Sequence, residues 1–250
     1  MIRQIFFDID DTLYDQQETF RLALDQLFSG SYPQALPYRI PDSRKEDADF
    51  LSTLYQRFRF HSDAVFHETE TGIMSIADMR VYRITEAFRD LGLALDRSSA
   101  ELFQTIYEDR QHHLRLLPEM KQLLSSLHQR QITLGIITNG PSRHQWDKVR
   151  CLGLEKWIPH DHILISDDLG ISKPDPAVFH AAEKITGIPA NNSWYVGDAY
   201  LLDVCGARNA GWHVLWLNRR HHAFPDGATV RPDAAITSDR ECLSFFMSGV

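Results

Sequence analysis

From about residue 117 onward, short apolar runs of strand length alternate with stretches that have helical spacing. Leucine and methionine recur three and four positions apart over 119–130, and a continuous apolar run, ITLGII, follows at 132–137. Further strand-like runs then follow at 163–165, 194–196, 213–217 and 234–236. Strands that alternate with helices form βαβ units, so this half of the chain predicts a parallel sheet with helices on both faces.

The helices between these strands are marked by their spacing and by their ends. One is predicted over 142–152, and another over about 200–210, where Gly211 ends it. A third is predicted to begin with Asp175 as its N-cap and Pro176 at its first position. The last helix is predicted to start at Ser238 or Asp239.

The first strand is predicted at the start of the chain, far from the others. Residues 2–7 are mostly β-branched or aromatic and precede a group of acids, as in a buried strand. The chain between 15 and 113 contains no strand-like run but has helical spacing over 17–29, 44–60, 78–91 and 98–115. We therefore expect an α/β protein, with a Rossmann-like doubly wound core of 1–14 and 114–250 and an inserted α-helical domain over 15–113.

Charge and composition exclude several classes of partner. The chain has 34 acidic residues against 26 lysines and arginines, a net charge of −8, and no basic run, which argues against nucleic acid or an anionic membrane as partner.

The first apolar segment breaks at Asp8 and is too short for a signal sequence or a membrane span, so we expect a cytoplasmic protein. The three cysteines are far apart and lack metal-ligand spacing, which favours reduced, packed thiols.

The carboxyl ends of the predicted strands carry most of the chemically useful side chains, at the edge where open parallel sheets bind ligands. They comprise four carboxylates, a hydroxyl, an amide and a lysine: Asp8, Asp10, Asp198, Asp203, Thr138, Asn139 and Lys173. A carboxylate can approach a phosphate dianion only if cations offset the repulsion between them. This set therefore favours phosphate-ester chemistry with Mg²⁺ as cofactor.

These residues form four motifs that resemble those of the haloacid dehalogenase-like hydrolase superfamily, in the same order. The motifs are DIDDTL at 8–13, the Thr138–Asn139 pair after an apolar strand, KPDP beginning at Lys173, and GDAYLLD at 197–203. A helical insert after the first motif is typical of the type I group, in which it closes over the active site and selects the substrate. GIITNG and WLNRRHH look most similar to the pyrimidine nucleotidase and acylneuraminate phosphatase relatives.

The resemblance implies a phosphatase that hydrolyses a small phosphate monoester, such as a nucleoside monophosphate or a sugar phosphate. It makes Asp8 the nucleophile, which forms an aspartyl-phosphate, and Asp10 the general acid and then the general base. Asp8 and the backbone carbonyl of Asp10 would also bind Mg²⁺. The implied partner is a small molecule, and the oligomeric state stays open.

The same resemblance assigns the remaining motif residues to phosphate and metal binding. Thr138 and the backbone of Asn139 would hold phosphate oxygens, and Lys173 would neutralise charge shared by the nucleophile and the phosphoryl group. Asp198 would complete the metal site. Asp203 would support it through water or by orienting Lys173.

Other functions stay open at this point, two of them in the same fold and one in a different class of protein. A dehalogenase would keep the nucleophile but would have no use for Asp10, Asp198 or magnesium, and a phosphomutase is also conceivable. A phosphorylatable receiver module gathers similar side chains without turnover, although such modules carry no insert of this length.

Several charged residues receive a plainer interpretation. We expect Asp11 and Asp15 to be turn residues, while Asp167 and Asp168 could equally reach the metal or face solvent. In the insert, surface charge is the favoured interpretation of His61, His67, Arg57, Arg59 and Arg83.

Overall fold

The computed structural model describes residues 1–29 and 48–249, which fall into two compact units. One unit comprises Met1–Asp15 with Leu114–Val250, and the other comprises Gln16–His113. Asp15, which was expected at the start of the insert, belongs to the first unit. The predicted start of a helix at 44 lies outside the described residues.

The first unit is built on a six-stranded sheet in which all neighbouring strands are parallel. The order across the sheet is β3-β2-β1-β4-β5-β6, so β1 is a central strand with β2 and β4 on either side. The strands are Gln4–Phe7 (β1), Thr133–Thr138 (β2), Ile163–Ile165 (β3), Ser193–Gly197 (β4), His213–Leu217 (β5) and Ala234–Ile236 (β6). The predicted α/β class with a doubly wound parallel sheet is confirmed.

Alternate side chains of β1 enter two separate cores, one on each face of the sheet. Ile5 and Phe7 lie in one apolar cluster, with helix residues such as Leu124. Phe6 lies in the other cluster and packs edge-on against Trp212, with ring centroids 5.5 Å apart. Ile5, Phe6 and Phe7 are all fully buried, which is why these three positions do not alternate with polar residues.

The helical unit has its own aromatic core. Its described helices are Gln16–Phe28 (α1), Ala48–Ala64 (α2), Phe66–Glu70 (α3), Ile76–Asp90 (α4) and Arg97–Gln111 (α5). Phe20, Phe58 and Phe103 are completely buried at its centre, with ring centroids between 4.9 and 6.1 Å apart. The described residues of this unit contain no strand, and none of the described helices has the length and apolar character needed to cross a bilayer.

The helices of the first unit follow the expected alternation, apart from the short helix Ser166–Leu169, which the sequence did not predict, and the helix predicted over 200–210. They are Pro118–Gln129 (α6), Ser142–Leu152 (α7), Ser166–Leu169 (α8), Pro176–Thr186 (α9), Cys205–Asn209 (α10) and Asp239–Gly249 (α11). The single helix predicted over 200–210 is instead a π-helical turn, Tyr200–Val204, that continues into α10. The reason is local: the Asp203 side chain accepts a hydrogen bond from the backbone N–H of Ala199 at 2.8 Å, which shapes this turn around the carboxylate.

Gly135 in β2 leaves space that the ring of Phe6 occupies. A Cβ atom at this position would lie 2.1 Å from the Phe6 ring, far inside van der Waals contact. We expect Gly135→Ala to lower the free energy of unfolding by about 1–3 kcal/mol through overpacking. Chemical denaturation measures this cost, and adding Phe6→Leu should recover part of it. A Gly135→Ala variant with unchanged stability would contradict this account of the packing.

Candidate active site

The ammonium group of Lys173 lies at the centre of a buried network at the carboxyl edge of the sheet. Its Nζ donates to Asp8 Oδ1 at 2.7 Å, to Asp203 Oδ1 at 2.8 Å and to the Tyr195 hydroxyl at 2.8 Å. Asp8 directly follows β1, and Asp203 belongs to the π-helical turn after β4. One lysine therefore joins the ends of two neighbouring strands through two carboxylates.

Asn139 holds the backbone of Lys173 in place. Its side-chain amide donates to the Lys173 carbonyl oxygen and accepts from the Lys173 N–H, both at 2.9 Å. Because this paired contact engages both backbone groups of one residue, it fixes the loop after β3 against the end of β2. The predicted phosphate contact of Asn139 concerns its backbone, so its side chain has a role that the motif did not reveal.

Burial and charge change the pKa values of this network in a consistent way. Burial raises the pKa of the Asp8 carboxyl group to about 6, although the Lys173 ammonium opposes that rise. Burial alone would disfavour the charged form of Lys173, but the carboxylates of Asp203 and Asp8 outweigh it and raise the pKa of Lys173 above its ordinary value. Lys173 therefore stays an ammonium and remains a donor to both acids.

Asp8, Asp198 and Asp203 together could hold a metal ion. Each contributes one carboxylate oxygen to a group in which these atoms lie within 4.8 Å of one another. Three carboxylates against the single charge of Lys173 leave the group negative, and oxygen ligands are those that Mg²⁺ prefers. The donor set therefore fits a hard divalent cation.

Gly197 provides the space that Asp203 needs. A Cβ atom on Gly197 would lie 2.3 Å from Asp203 Oδ2, so a larger side chain would displace the carboxylate. Asp203 is only 1% exposed, and its Oδ2 accepts the Ala199 N–H while its Oδ1 accepts from Lys173. The GD pair that ends β4 thus positions both this acid and Asp198.

Thr138 ends β2, and its hydroxyl is buried. The residue is 1% exposed, and its Oγ1 has no hydrogen-bond partner among residues 1–29 and 48–249. A buried hydroxyl without a partner is costly and is uncommon in folded proteins. Such a hydroxyl is suited to bind an oxygen of a ligand.

The side chain of Asp10 lies apart from the three-carboxylate group and is held by other residues. Both of its oxygens accept from Lys148 Nζ, at 2.6 and 2.7 Å, and it also accepts from the Tyr14 hydroxyl. Gln145 Nε2 lies 3.4 Å from Asp10 Oδ2. The metal contact predicted for Asp10 is a backbone one, and its side chain is engaged by Lys148 and Tyr14.

Lys148 and Gln145 were missed in the sequence, although a signal for them exists. Both lie on α7, where Gln145, Lys148, Val149 and Leu152 form the buried stripe of an amphipathic helix. Lys148 is 3% exposed, which is rare for a lysine unless it has a partner. The signal for these two residues is that they are polar but lie on the apolar face of a helix that follows a motif strand.

A family model described as haloacid dehalogenase-like hydrolase matches residues 2–211. A glyceraldehyde 3-phosphate phosphatase of Pyrococcus abyssi is 27% identical over 87% of this chain and 82% of its own length. The human N-acylneuraminate-9-phosphatase is 26% identical over 87% and 83%. Among solved structures, an L-2-haloacid dehalogenase is 25% identical with a TM-score of 0.71, covering 98% of this chain and 99% of the other.

The chain belongs to the haloacid dehalogenase-like hydrolases. The resemblance carried by the four motifs is confirmed, as is the prediction of a hydrolytic enzyme. The non-turnover receiver module is set aside by membership in this hydrolase family.

The two acids of uncertain role, Asp167 and Asp168, contact α7 in this haloacid dehalogenase-like hydrolase. Asp167 Oδ2 accepts the Ser142 N–H at 2.9 Å, at the start of the helix, and Asp168 Oδ2 accepts from the Trp146 indole at 3.2 Å. Within the described ranges, neither acid belongs to the three-carboxylate group. Both side chains orient the helix that carries Lys148.

Two arginines after β5 support the turn that carries the first motif. Arg219 donates to the backbone carbonyls of Asp11 and Thr12, and its guanidinium is also paired with Asp239. Arg220 pairs with Asp11 at 3.0 Å and with Asp15 at 2.5 Å. Asp11 does lie in a turn, with φ of 53°, but it is 6% exposed and ion-paired, so it is not a solvated turn acid.

We expect Arg219→Met to lower the free energy of unfolding of the first unit by about 1–3 kcal/mol, because buried carbonyls lose charged donors. Hydrolytic activity should fall as well, since the same turn positions Asp10. Thermal denaturation and steady-state rates measure both effects. Arg240→Met, at an exposed position nearby, is the matched control. Equal stability and activity in the two variants would contradict the supporting role of Arg219.

Proposed function

We propose that the chain is a Mg²⁺-dependent phosphatase that hydrolyses a small phosphate monoester, a nucleoside monophosphate or a sugar phosphate, through an aspartyl-phosphate on Asp8. The names of its relatives support this class, since they include phosphatases of glyceraldehyde 3-phosphate and of N-acylneuraminate 9-phosphate. The helical unit is proposed to be the part that selects the substrate.

The observation that carries the proposal is the separation of two carboxylates into two environments. Asp8 contacts a buried ammonium in the group of acids, whereas Asp10 is held by Lys148 and Tyr14 outside that group. A nucleophile and a proton-transfer residue need this division of roles. A hydrolase that used only one aspartate would have no need to bury a lysine against the second.

The proposed reaction has two displacements. An oxygen of Asp8 attacks phosphorus, the bond to the leaving oxygen breaks, and Asp10 supplies the proton that this oxygen takes up. Asp10, now a carboxylate, accepts a proton from water as the water attacks the phosphoryl group, which releases phosphate and regenerates Asp8. In the structure Asp10 accepts three hydrogen bonds, two from Lys148 Nζ and one from the Tyr14 hydroxyl, as suits the carboxylate form that the second displacement requires.

Asp8, the backbone carbonyl of Asp10 and Asp198 are proposed to hold Mg²⁺. A bound Mg²⁺ would supply positive charge that offsets the repulsion between the Asp8 carboxylate and the phosphate oxygens. Lys173 supplies the protein's own positive charge at the same place, and Asp203 keeps that lysine oriented. The buried hydroxyl of Thr138 would donate to a phosphate oxygen.

We also propose that the enzyme acts in the cytoplasm. None of the three cysteines forms a disulfide within the described residues, and Cys242 is buried. This agrees with the reducing conditions of a cytoplasmic location.

A dehalogenase is the second candidate, because an L-2-haloacid dehalogenase shares this fold at a TM-score of 0.71. Such an enzyme needs a nucleophile, but it has no leaving oxygen to protonate. The Lys148–Asp10 pair, and the capacity of Asp198 to complete a metal site with Asp8, would then have no role. Assays for halide release from 2-haloacids and for phosphate release from phosphate esters separate the two activities.

Asp8→Asn should lower kcat by about 10⁴-fold or more, because an amide oxygen is a poor nucleophile and cannot form the acyl-phosphate. The fold should persist, as circular dichroism would show. Phosphate release from a panel of nucleotides and sugar phosphates at fixed Mg²⁺ measures the effect, with the exposed Asp161→Asn as control. Retention of most activity in Asp8→Asn would reject Asp8 as nucleophile.

Lys148→Met should lower kcat by about 10- to 100-fold with little change in KM, because Asp10 loses its position. The loss should be larger for alkyl phosphates, whose leaving oxygen needs a proton, than for p-nitrophenyl phosphate, whose leaving group departs as the p-nitrophenolate anion. Lys148→Arg should recover part of the rate, and the exposed Lys156→Met should behave as wild type. Equal losses with both ester types would indicate a purely structural lysine.

Removal of divalent metal by EDTA should abolish phosphate release, and added Mg²⁺ should restore it, because the acids otherwise repel the phosphate. In Asp198→Asn, the Mg²⁺ concentration for half-maximal rate should rise by about tenfold or more. Titration of Mg²⁺ into the metal-stripped protein gives both results. Undiminished activity in excess chelator would exclude the metal role.

A further inference from the structure

Arg83 lies among the helices of the helical unit and not on a plain charged surface. It belongs to α4, and its guanidinium donates to Ser62 Oγ on α2 at 3.3 Å and to Gln104 Oε1 on α5 at 3.0 Å. The guanidinium carbon also lies 4.2 Å from the centre of the Phe58 ring. The surface interpretation drawn from the sequence is therefore wrong for this residue.

The contacts of Arg83 leave its charge unmatched. Both of its hydrogen-bond acceptors are neutral, and its Nε is buried without a partner within 1–29 and 48–249. No carboxylate of the described residues forms an ion pair with it. Burial lowers the pKa of Arg83 to about 10, which expresses the same cost of an uncompensated charge.

Neighbouring charges increase the positive character of this region. Arg80 and Arg59 are near enough that their charges also disfavour the charged form of Arg83. Glu108 acts in the opposite direction, but it is already paired with Arg80 at 2.5 Å. Arg59 donates to the neutral amide oxygen of Gln16 at 2.6 Å. Three guanidinium groups, those of Arg59, Arg80 and Arg83, are thus close enough for their charges to interact.

A purely structural role does not require this arrangement. A neutral side chain could bridge the helices and pack on Phe58 without the cost of a partly buried cation. Arg83 keeps that charge and, although its Nε is buried, the residue as a whole remains partly exposed. We propose that Arg83 is the centre of an anion-binding site within the helical unit, which takes the carboxylate or phosphate group of a small organic anion.

Two sources could supply this group. One is a second anionic group on the phosphate ester itself, and this version rests on the proposed phosphatase function. The other is a separate small anion that stabilises the helical unit. Guanidinium binds either group through paired, charge-assisted hydrogen bonds, so the recognition chemistry is the same.

Thermal denaturation of the full-length protein in succinate tests the site without an activity assay. At a concentration about ten times its Kd, succinate should raise Tm by about 3 °C relative to sodium chloride at equal ionic strength. Arg83→Met should lose this response. Arg89→Met, which removes an exposed arginine of the same helix, should keep it.

A second variant decides the case if Arg83→Met does not fold. Gln104→Glu places a carboxylate where the amide oxygen lies 3.0 Å from Arg83, so it should neutralise the arginine and abolish the succinate response. The proposal is overturned if the wild-type protein shows no response to succinate. It is also overturned if Arg83→Met or Gln104→Glu responds as wild type does.

Steady-state kinetics then separate the two sources. Phosphoglycolate and ethyl phosphate differ by one carboxylate, so a substrate group at Arg83 predicts a rise of about tenfold or more in KM for phosphoglycolate alone in Arg83→Met. Unchanged KM values with a lost succinate response assign the site to a separate anion. If neither ester is hydrolysed, the proposed function fails, but the succinate result still decides the anion site.

Discussion

Carboxylates that gather at one edge of a sheet repel one another, and the buried ammonium of Lys173 makes their burial possible here. It contacts Asp8 and Asp203 within 2.8 Å, and all three residues are at most 7% exposed. Removing one member of such a group would leave an uncompensated buried charge, at a typical cost of about 3–5 kcal/mol. The pairing of Asn139 with the Lys173 backbone and the missing side chain of Gly197 both serve this contact.

The charge balance of this network also defines its chemistry. Lys173 offsets one of the three carboxylates that lie together, and the remaining negative charge suits a divalent cation. Asp10 has a cation of its own, since Lys148 Nζ lies 2.6 Å from its carboxylate, although the charge of Asp10 still contributes to the raised pKa of Asp8. One cation thus serves the group that would bind metal and attack phosphorus, and a second serves the group that would move protons.

Most strands could be predicted because a buried parallel strand is a continuous apolar run, which the sequence displays directly. The runs at 213–217 and 234–236 match β5 and β6 to the residue, although β6 lies at the edge of the sheet and is only partly buried. The helix predicted over 200–210 was wrong in its first turn, because the Asp203 carboxylate bonds to the nearby Ala199 N–H and to Lys173 in a distant loop, and helical spacing encodes neither contact. Gly135 shows the same limit, since its reason lies in a ring 129 positions earlier in the sequence, and local pattern carries no record of it.

The motif residues of the candidate site could be selected from the sequence because each follows a strand, and parallel strands bring their carboxyl ends together. Their partners could not be selected in this way. Lys148 lies on a helix, and Arg219 lies more than 200 residues from the turn that it supports. Arg83 was assigned to the surface because charged side chains usually lie there. Each of these cations acquires its role from a contact that only the folded chain creates.

Trapping the covalent intermediate tests the central claim most directly. An Asp10→Asn variant should form the phosphoryl-enzyme from a substrate such as acetyl phosphate, whose leaving group needs no proton, and should hydrolyse it slowly. Acid quench, proteolysis and mass spectrometry should then find the mass of one phosphoryl group on Asp8, removable by hydroxylamine. Phosphate release from this variant with Asp8 unmodified at every time point would contradict the account.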